Sequence, residues 1–71
     1  MTEFKISLKA ARVNANLTIS KAAETLGINR STLLSYEHGN TFPNLNRMQQ
    51  MCNLYGIPID YIFLRSELTN G

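Results

Sequence analysis

Apolar positions along this chain recur with a helical period, and no segment shows the strict alternation of a strand flanked by hairpin signals. From about Phe4 to Asn14, the residues Phe4, Leu8, Ala11 and Ala15 share one narrow arc at about 100° per residue, which predicts a helix with that stripe turned inward. Arg12 lies at the border of the stripe, and Ile6, Ala10 and Val13 form a second apolar strip on the far side. Thr18 is a suitable N-cap for a second helix, about Ile19 to Leu26, whose inward arc is Ile19, Ala22, Ala23 and Leu26. Two alanines there permit close approach by another helix.

Gly27, Ile28 and Asn29 follow as a stop, an apolar plug and a residue suited to capping the next helix. A short glycine-containing turn between two short helices is the geometry of a helix-turn-helix. The third helix, about Arg30 to His38, divides into two faces: Arg30, Ser31, Leu34, Ser35 and His38 on one, Thr32, Leu33, Tyr36 and Glu37 on the other. The first of these carries no acid, so it is the face expected to meet solvent and any anionic partner. After Gly39 comes a loop of Asn40, Thr41, Phe42 and Pro43, and Asn44 is the predicted cap of a fourth helix. Leu45, Met48, Met51, Cys52 and Tyr55 line its inward side, and Gly56 closes it. A last short helix, about Ile59 to Leu64, adds Ile59, Ile62 and Phe63 to the core, and the tail from Arg65 onward is expected to fray.

Composition narrows the class. With 71 residues the chain holds one compact unit, expected to span 1–71 with its core at about 4–64. A unit this small buries only about 60 % of its unfolded surface, so it needs cross-links, close helix packing or association. Its single cysteine, Cys52, excludes an internal disulfide, and one histidine, His38, with one cysteine cannot make a four-ligand zinc site. No metal and no cofactor is therefore expected. No run reaches the roughly 18 apolar residues of a membrane span, which with the lone cysteine points to the reducing cytoplasm. A net charge of +2 permits an anionic partner without demanding one. Enzyme chemistry is not expected, because there is no nucleophile–base pair, acidic metal cluster or phosphate-cradling glycine loop.

Several separated motifs at matching spacing resemble the Cro/phage-repressor type of helix-turn-helix proteins. They are Arg12; Leu17 and Thr18 through Ala23, Leu26 and Gly27; Ser31 and Thr32; Glu37 with Gly39; Pro43; and Leu45 to Asp60 with its Gly56-Ile57-Pro58-Ile59 run. The resemblance covers about Leu8 to Phe63. It implies an all-α, compact five-helix bundle, lambda-repressor-like, whose third helix lies in the DNA major groove. It also implies a structural ion pair between Arg12 and Glu37, the only acid in its helix. Most relatives begin the second helix with a glutamine that bonds a phosphate and braces the first reading residue. Ile19 stands there in this chain, so one positioning bond is expected to be missing.

The resemblance assigns base reading to Arg30, Ser31 and Ser35, with Asn29 at the turn and Leu34 against a thymine methyl. An arginine can donate two bonds to guanine O6 and N7, and a serine hydroxyl serves either partner type. The plainer alternatives are a solvated or phosphate-bound Arg30 and an isolated surface leucine. Phosphate contacts are expected at the helix starts around Thr18, Ser20 and Asn44, and from Asn40 and Thr41 in the loop. Lys9, Lys21 and Arg47 are further candidates, although helix-surface charges are commonly just solvated. Cys52, Met48 and Met51 read as core, and His38 as solvated.

The function expected on these grounds is that of a sequence-specific regulator binding double-stranded DNA. It would act as a dimer on a near-palindromic operator and repress by occupying it. A different class, a protein-interaction module of antitoxin or anti-repressor kind, is the alternative. Candidate dimer surfaces are the strip Ile6, Ala10, Val13 and the C-terminal residues Tyr61, Phe63 and Leu64.

Overall fold

In the computed structural model, residues 6–62 are described. They form four α-helices, α1 (Leu8–Asn14), α2 (Ile19–Leu26), α3 (Arg30–His38) and α4 (Leu45–Tyr55), followed by a single 3-10 turn at Ile59–Tyr61. Each helix starts where a side chain can take over an orphaned backbone donor. Ser7 Oγ accepts from the Ala10 amide at 3.0 Å, Thr18 Oγ1 from that of Lys21 at 3.1 Å, and Asn44 Oδ1 from that of Arg47 at 2.8 Å. Asn29 is the exception: it has the extended backbone of a cap, but its side chain makes no capping bond.

The stop between α2 and α3 is set by backbone conformation. Gly27 sits at φ 73°, so its amide reaches the Glu24 carbonyl at 3.1 Å and the next amide, Ile28, reaches Ala23 at 3.0 Å. A β-carbon at Gly27 would meet no atom within 4 Å, so the glycine is required for its left-handed φ and not for space. Ile28, folded back by this turn, packs against the core.

That core consists of Leu8, Ala11, Ala22, Ala23, Leu33, Met48, Met51, Cys52, Tyr55 and Ile62. Ala22 and Ala23 are fully shielded and let α2 lie close against α3, where Leu33 is also fully buried. Helix α1 touches both α3 and α4, and the 3-10 turn packs on α4. The two ends of the described chain meet in an isolated parallel bridge between Ile6 and Ile62, with the Ile6 amide donating to the Tyr61 carbonyl at 2.7 Å. No helix among the described residues is long and apolar enough to cross a membrane.

The bundle differs from the sequence expectation in four places. Among the described residues there are four α-helices and not five, because the chain after Pro58 makes one 3-10 turn and then turns extended at Ile62 to pair with Ile6. Helix α1 begins at Leu8, since Ser7 takes the cap and Ile6 is drawn into that same bridge. The strip Ile6, Ala10, Val13 is therefore not one helical face: Ile6 packs on the core, while Ala10 and Val13 are exposed. Leu45 is 74 % exposed despite its periodic spacing, because the first residue of α4 projects beyond the edge of the core. Phe4, Phe63, Leu64 and the tail from Arg65 lie outside the described residues.

One buried group is poorly served. The Tyr55 hydroxyl has no hydrogen-bond partner among the described residues, and burial, aided by the Glu37 carboxylate, pushes its pKa up to about 12. A phenol whose folded pKa lies above its unfolded value favours the fold while protonated. That contribution is complete below about pH 10 and is lost as pH rises through about 12. Replacing Tyr55 with Phe removes an unsatisfied polar atom and should raise stability by about 1 kcal/mol in urea denaturation at pH 7. The variant should also lose less stability than the parent between pH 10 and 12. A destabilised Y55F would show that the hydroxyl is satisfied in solution.

Candidate nucleic-acid interface

The interface is organised by Arg12. Its Nε donates to Glu37 Oε2 at 2.7 Å and one terminal nitrogen, NH2, donates to Oε1 at 3.3 Å, so the two planar groups meet as a fork. The other terminal nitrogen donates to the Leu17 carbonyl at 2.8 Å, while the Leu17 amide donates back to the Arg12 carbonyl at 3.2 Å. One guanidinium thus holds α1, the turn leading into α2, and the far end of α3. The side chains of Arg12 and Glu37 are only 10 % and 2 % exposed. Their pairing keeps the arginine more firmly protonated than usual, the hydrogen bond to Glu37 outweighing the cost of burial.

With Glu37 held inward and Leu33 in the core, the opposite face of α3 points to solvent. Arg30, Ser31, Leu34 and His38 are exposed there, Leu34 at 39 %, and Ser35 is half-buried. No acid lies among them. Asn29 is exposed just before, and its uncapped side chain leaves the whole amide available. Asn40 and Thr41 are exposed beyond the C-terminal end, their amides held by the Ser35 carbonyl at 3.0 and 3.4 Å.

The remaining candidates surround this face. Thr18, Ser20, Lys21 and Asn44 are exposed around the starts of α2 and α4, and Lys9 is exposed on α1. Two contacts were not anticipated from periodicity. Arg30 donates from NH1 to Ser20 Oγ at 3.0 Å, across the helix-turn-helix. Arg47, expected as a phosphate ligand or a solvated charge, donates to the Leu26 carbonyl at 2.9 Å and to Gln50 Oε1 at 3.1 Å, so it caps the C-terminal end of α2 from α4. Ile19, where relatives carry a glutamine, is half-buried and packs against the core, and the residue beside it, Ser20, is the one that bonds Arg30.

Two short helices locked at a glycine turn, the second offering an open polar face, define a helix-turn-helix domain. The family model described as a helix-turn-helix domain matches residues 6–68, and the chain belongs to that family. It is of the Cro/phage-repressor type that the motifs implied.

Among its relatives is the cryptic phage CTXphi transcriptional repressor RstR of Vibrio cholerae, 30 % identical over 64 residues, which are 90 % of this chain and 58 % of the relative. The HTH-type transcriptional regulator ImmR of Bacillus subtilis is 34 % identical over 62 residues, covering 87 % and 49 %. An uncharacterized HTH-type transcriptional regulator of Methanocaldococcus jannaschii is 33 % identical over 63 residues, covering 89 % and 96 %. The chain spans about half the length of the first two. All three are named as transcriptional regulators and none as an enzyme. No solved structure matches the chain significantly.

Breaking the central pair should unfold the domain before it alters recognition. Glu37→Ala leaves the Arg12 charge buried without its partner, at a cost of about 3–5 kcal/mol. The whole stability of a chain this size is about 4–10 kcal/mol. Calorimetry should show a large fall in melting temperature. An unchanged melting temperature would remove the pair from its structural role.

Proposed function

We propose that this chain is the DNA-reading domain of a transcriptional regulator, binding double-stranded DNA sequence-specifically through the outward face of α3. The observation that carries the reading is that this face is open: Arg30, Ser31 and Leu34 are exposed, with Asn29 beside them and no acid among them. Arg30 suits guanine, Leu34 a thymine methyl, and the hydroxyls of Ser31 and Ser35 either donor or acceptor edges. Around it, the first amides of α2 and α4 have no intrahelical acceptors, and each helix start carries a partial positive charge suited to a phosphate. Thr18, Ser20, Asn44, Asn40 and Thr41 add short polar side chains to this rim, with Lys9, Lys21 and Arg47 supplying charge.

Regulation by occupancy suits a reading face of this kind. Bound as a dimer on a near-palindromic operator, two copies would set their α3 helices about 34 Å apart in successive major grooves. Repression then follows from covering a promoter. Similarity to a named phage repressor supports the same direction.

Binding to fluorescent duplexes selected from a random pool tests this. Affinity should fall steeply with salt, with a log–log slope of about −0.9 per phosphate neutralised. Arg30→Ala should cost about 1–3 kcal/mol on the selected site and relax preference at one base pair, while Lys9→Ala weakens all sequences alike. Selected sites should contain paired half-sites. Failure to retain any duplex at low salt would overturn the proposal and favour the protein-interaction module.

A further inference from the structure

Helix α4 is the longest of the four helices described, with 11 residues, and it carries no charge on its exposed side. Leu45, Asn46, Gln49, Gln50 and Asn53 share an arc of about 140° at 3.6 residues per turn, and all five are exposed. The charged residue of α4, Arg47, lies on another side, half-buried and turned to the Leu26 carbonyl. Each of the other helices exposes a charge: Lys9 on α1, Lys21 and Glu24 on α2, Arg30 on α3. Two large apolar side chains stand at the near end of the arc, Phe42 at 52 % exposed and Leu45.

A surface kept free of charge suits burial against protein, because depletion of charged residues marks the centre of an interface. Neither DNA nor a charged peptide finds a complementary charge here. The residue types favour one partner in particular. Across a twofold axis, a residue near the axis faces its own copy. A lysine or a glutamate there would meet a like charge, whereas an amide holds both donor and acceptor and can bond its own copy. Among the described residues, the side chains of Asn46, Gln49 and Asn53 make no hydrogen bond, so their amides are available for such pairing. Other surfaces are less suited. Ile6 packs on the core and so interrupts the strip with Ala10 and Val13, and the exposed Tyr61 adjoins an exposed acid, Asp60.

We infer that the outer arc of α4, with Phe42, is the docking surface for a second copy of this chain, the two α4 helices crossing on a twofold axis with Gln49 near the middle. This names the surface of the dimer proposed above and rests on that part of the reading alone; the contact itself requires no DNA. The patch is far smaller than the roughly 20–30 residues a side of a standard interface. Association is therefore weak in free solution, and strong only where adjacent half-sites hold two copies side by side.

Sedimentation equilibrium of the full chain without DNA should show monomer and dimer in exchange, with dimer gaining as concentration rises. Gln49→Lys and Gln49→Glu each set like charges face to face, so each should weaken the dimer by about 10-fold or more. An equimolar mixture of the two variants should restore it, because each charge then meets its opposite. Residue 49 is exposed, so both melting temperatures should match the parent's. On DNA, both variants should lose cooperativity between two half-sites, whatever their affinity for one.

A parent chain that stays monomeric up to its solubility limit overturns the inference and leaves the face to a different protein. A dimer that survives both single variants and is broken instead by Val13→Lys or Tyr61→Lys overturns it too, by placing the axis on another face. A mixture no stronger than the single variants contradicts the pairing at Gln49. If the chain dimerises as described but retains no duplex, the DNA-binding reading falls and the surface stands.

Discussion

A single guanidinium determines which way the third helix faces. Arg12 comes from α1, grips the Leu17 carbonyl just ahead of α2, and forks onto Glu37 near the end of α3. Only a planar group with donors on several edges can serve three segments at once, which is why a lysine would not substitute. Partners at every edge offset the cost of burying the charge. Once Glu37 is held inward, the residues opposite it on a 3.6-residue helix must point outward. The open face of α3 is therefore a consequence of the ion pair together with the burial of Leu33, and not a separate feature.

The rest of the unit divides its polar groups between holding the fold and leaving something free. Ser7, Thr18 and Asn44 spend their side chains on caps, and Arg47 spends its own on the carbonyl end of α2. Asn29 does not, although its backbone takes the cap conformation. An uncapped helix start gives up about 1 kcal/mol of stability. Small residues do the complementary work: Ala22 and Ala23 bring α2 onto α3, so that Ser20 reaches Arg30 across the turn.

Much of this was legible in the sequence because it rests on periodicity and on residue types with narrow uses. The three interior glycines marked helix ends that all proved left-handed, and Leu33, Glu37, Met48, Met51, Cys52 and Tyr55 fell on the inward side as their spacing required. What periodicity could not convey was where a helix gives way to something else. Ile6 has helical spacing from Ala10 and Val13, yet pairing with Ile62, a contact between opposite ends of the described chain, overrides it. Leu45 repeats the apolar stripe, but a stripe carries no information on where the core stops. The roles of Ser20 and Arg47 were hidden for a related reason. Their partners, Arg30 and the Leu26 carbonyl, lie on other elements, and such contacts are set by packing between helices.

The central claim is that this geometry delivers the polar side of α3 to the edges of a DNA duplex. Amide chemical-shift mapping of the 15N-labelled protein on adding a selected duplex addresses it residue by residue. Perturbations should concentrate at the start of α2, from Asn29 to Ser35, and around Asn40 to Asn44, leaving Val13 and Asp60 unmoved. Perturbations centred on Val13 and Asp60, with the α3 amides silent, would contradict the account.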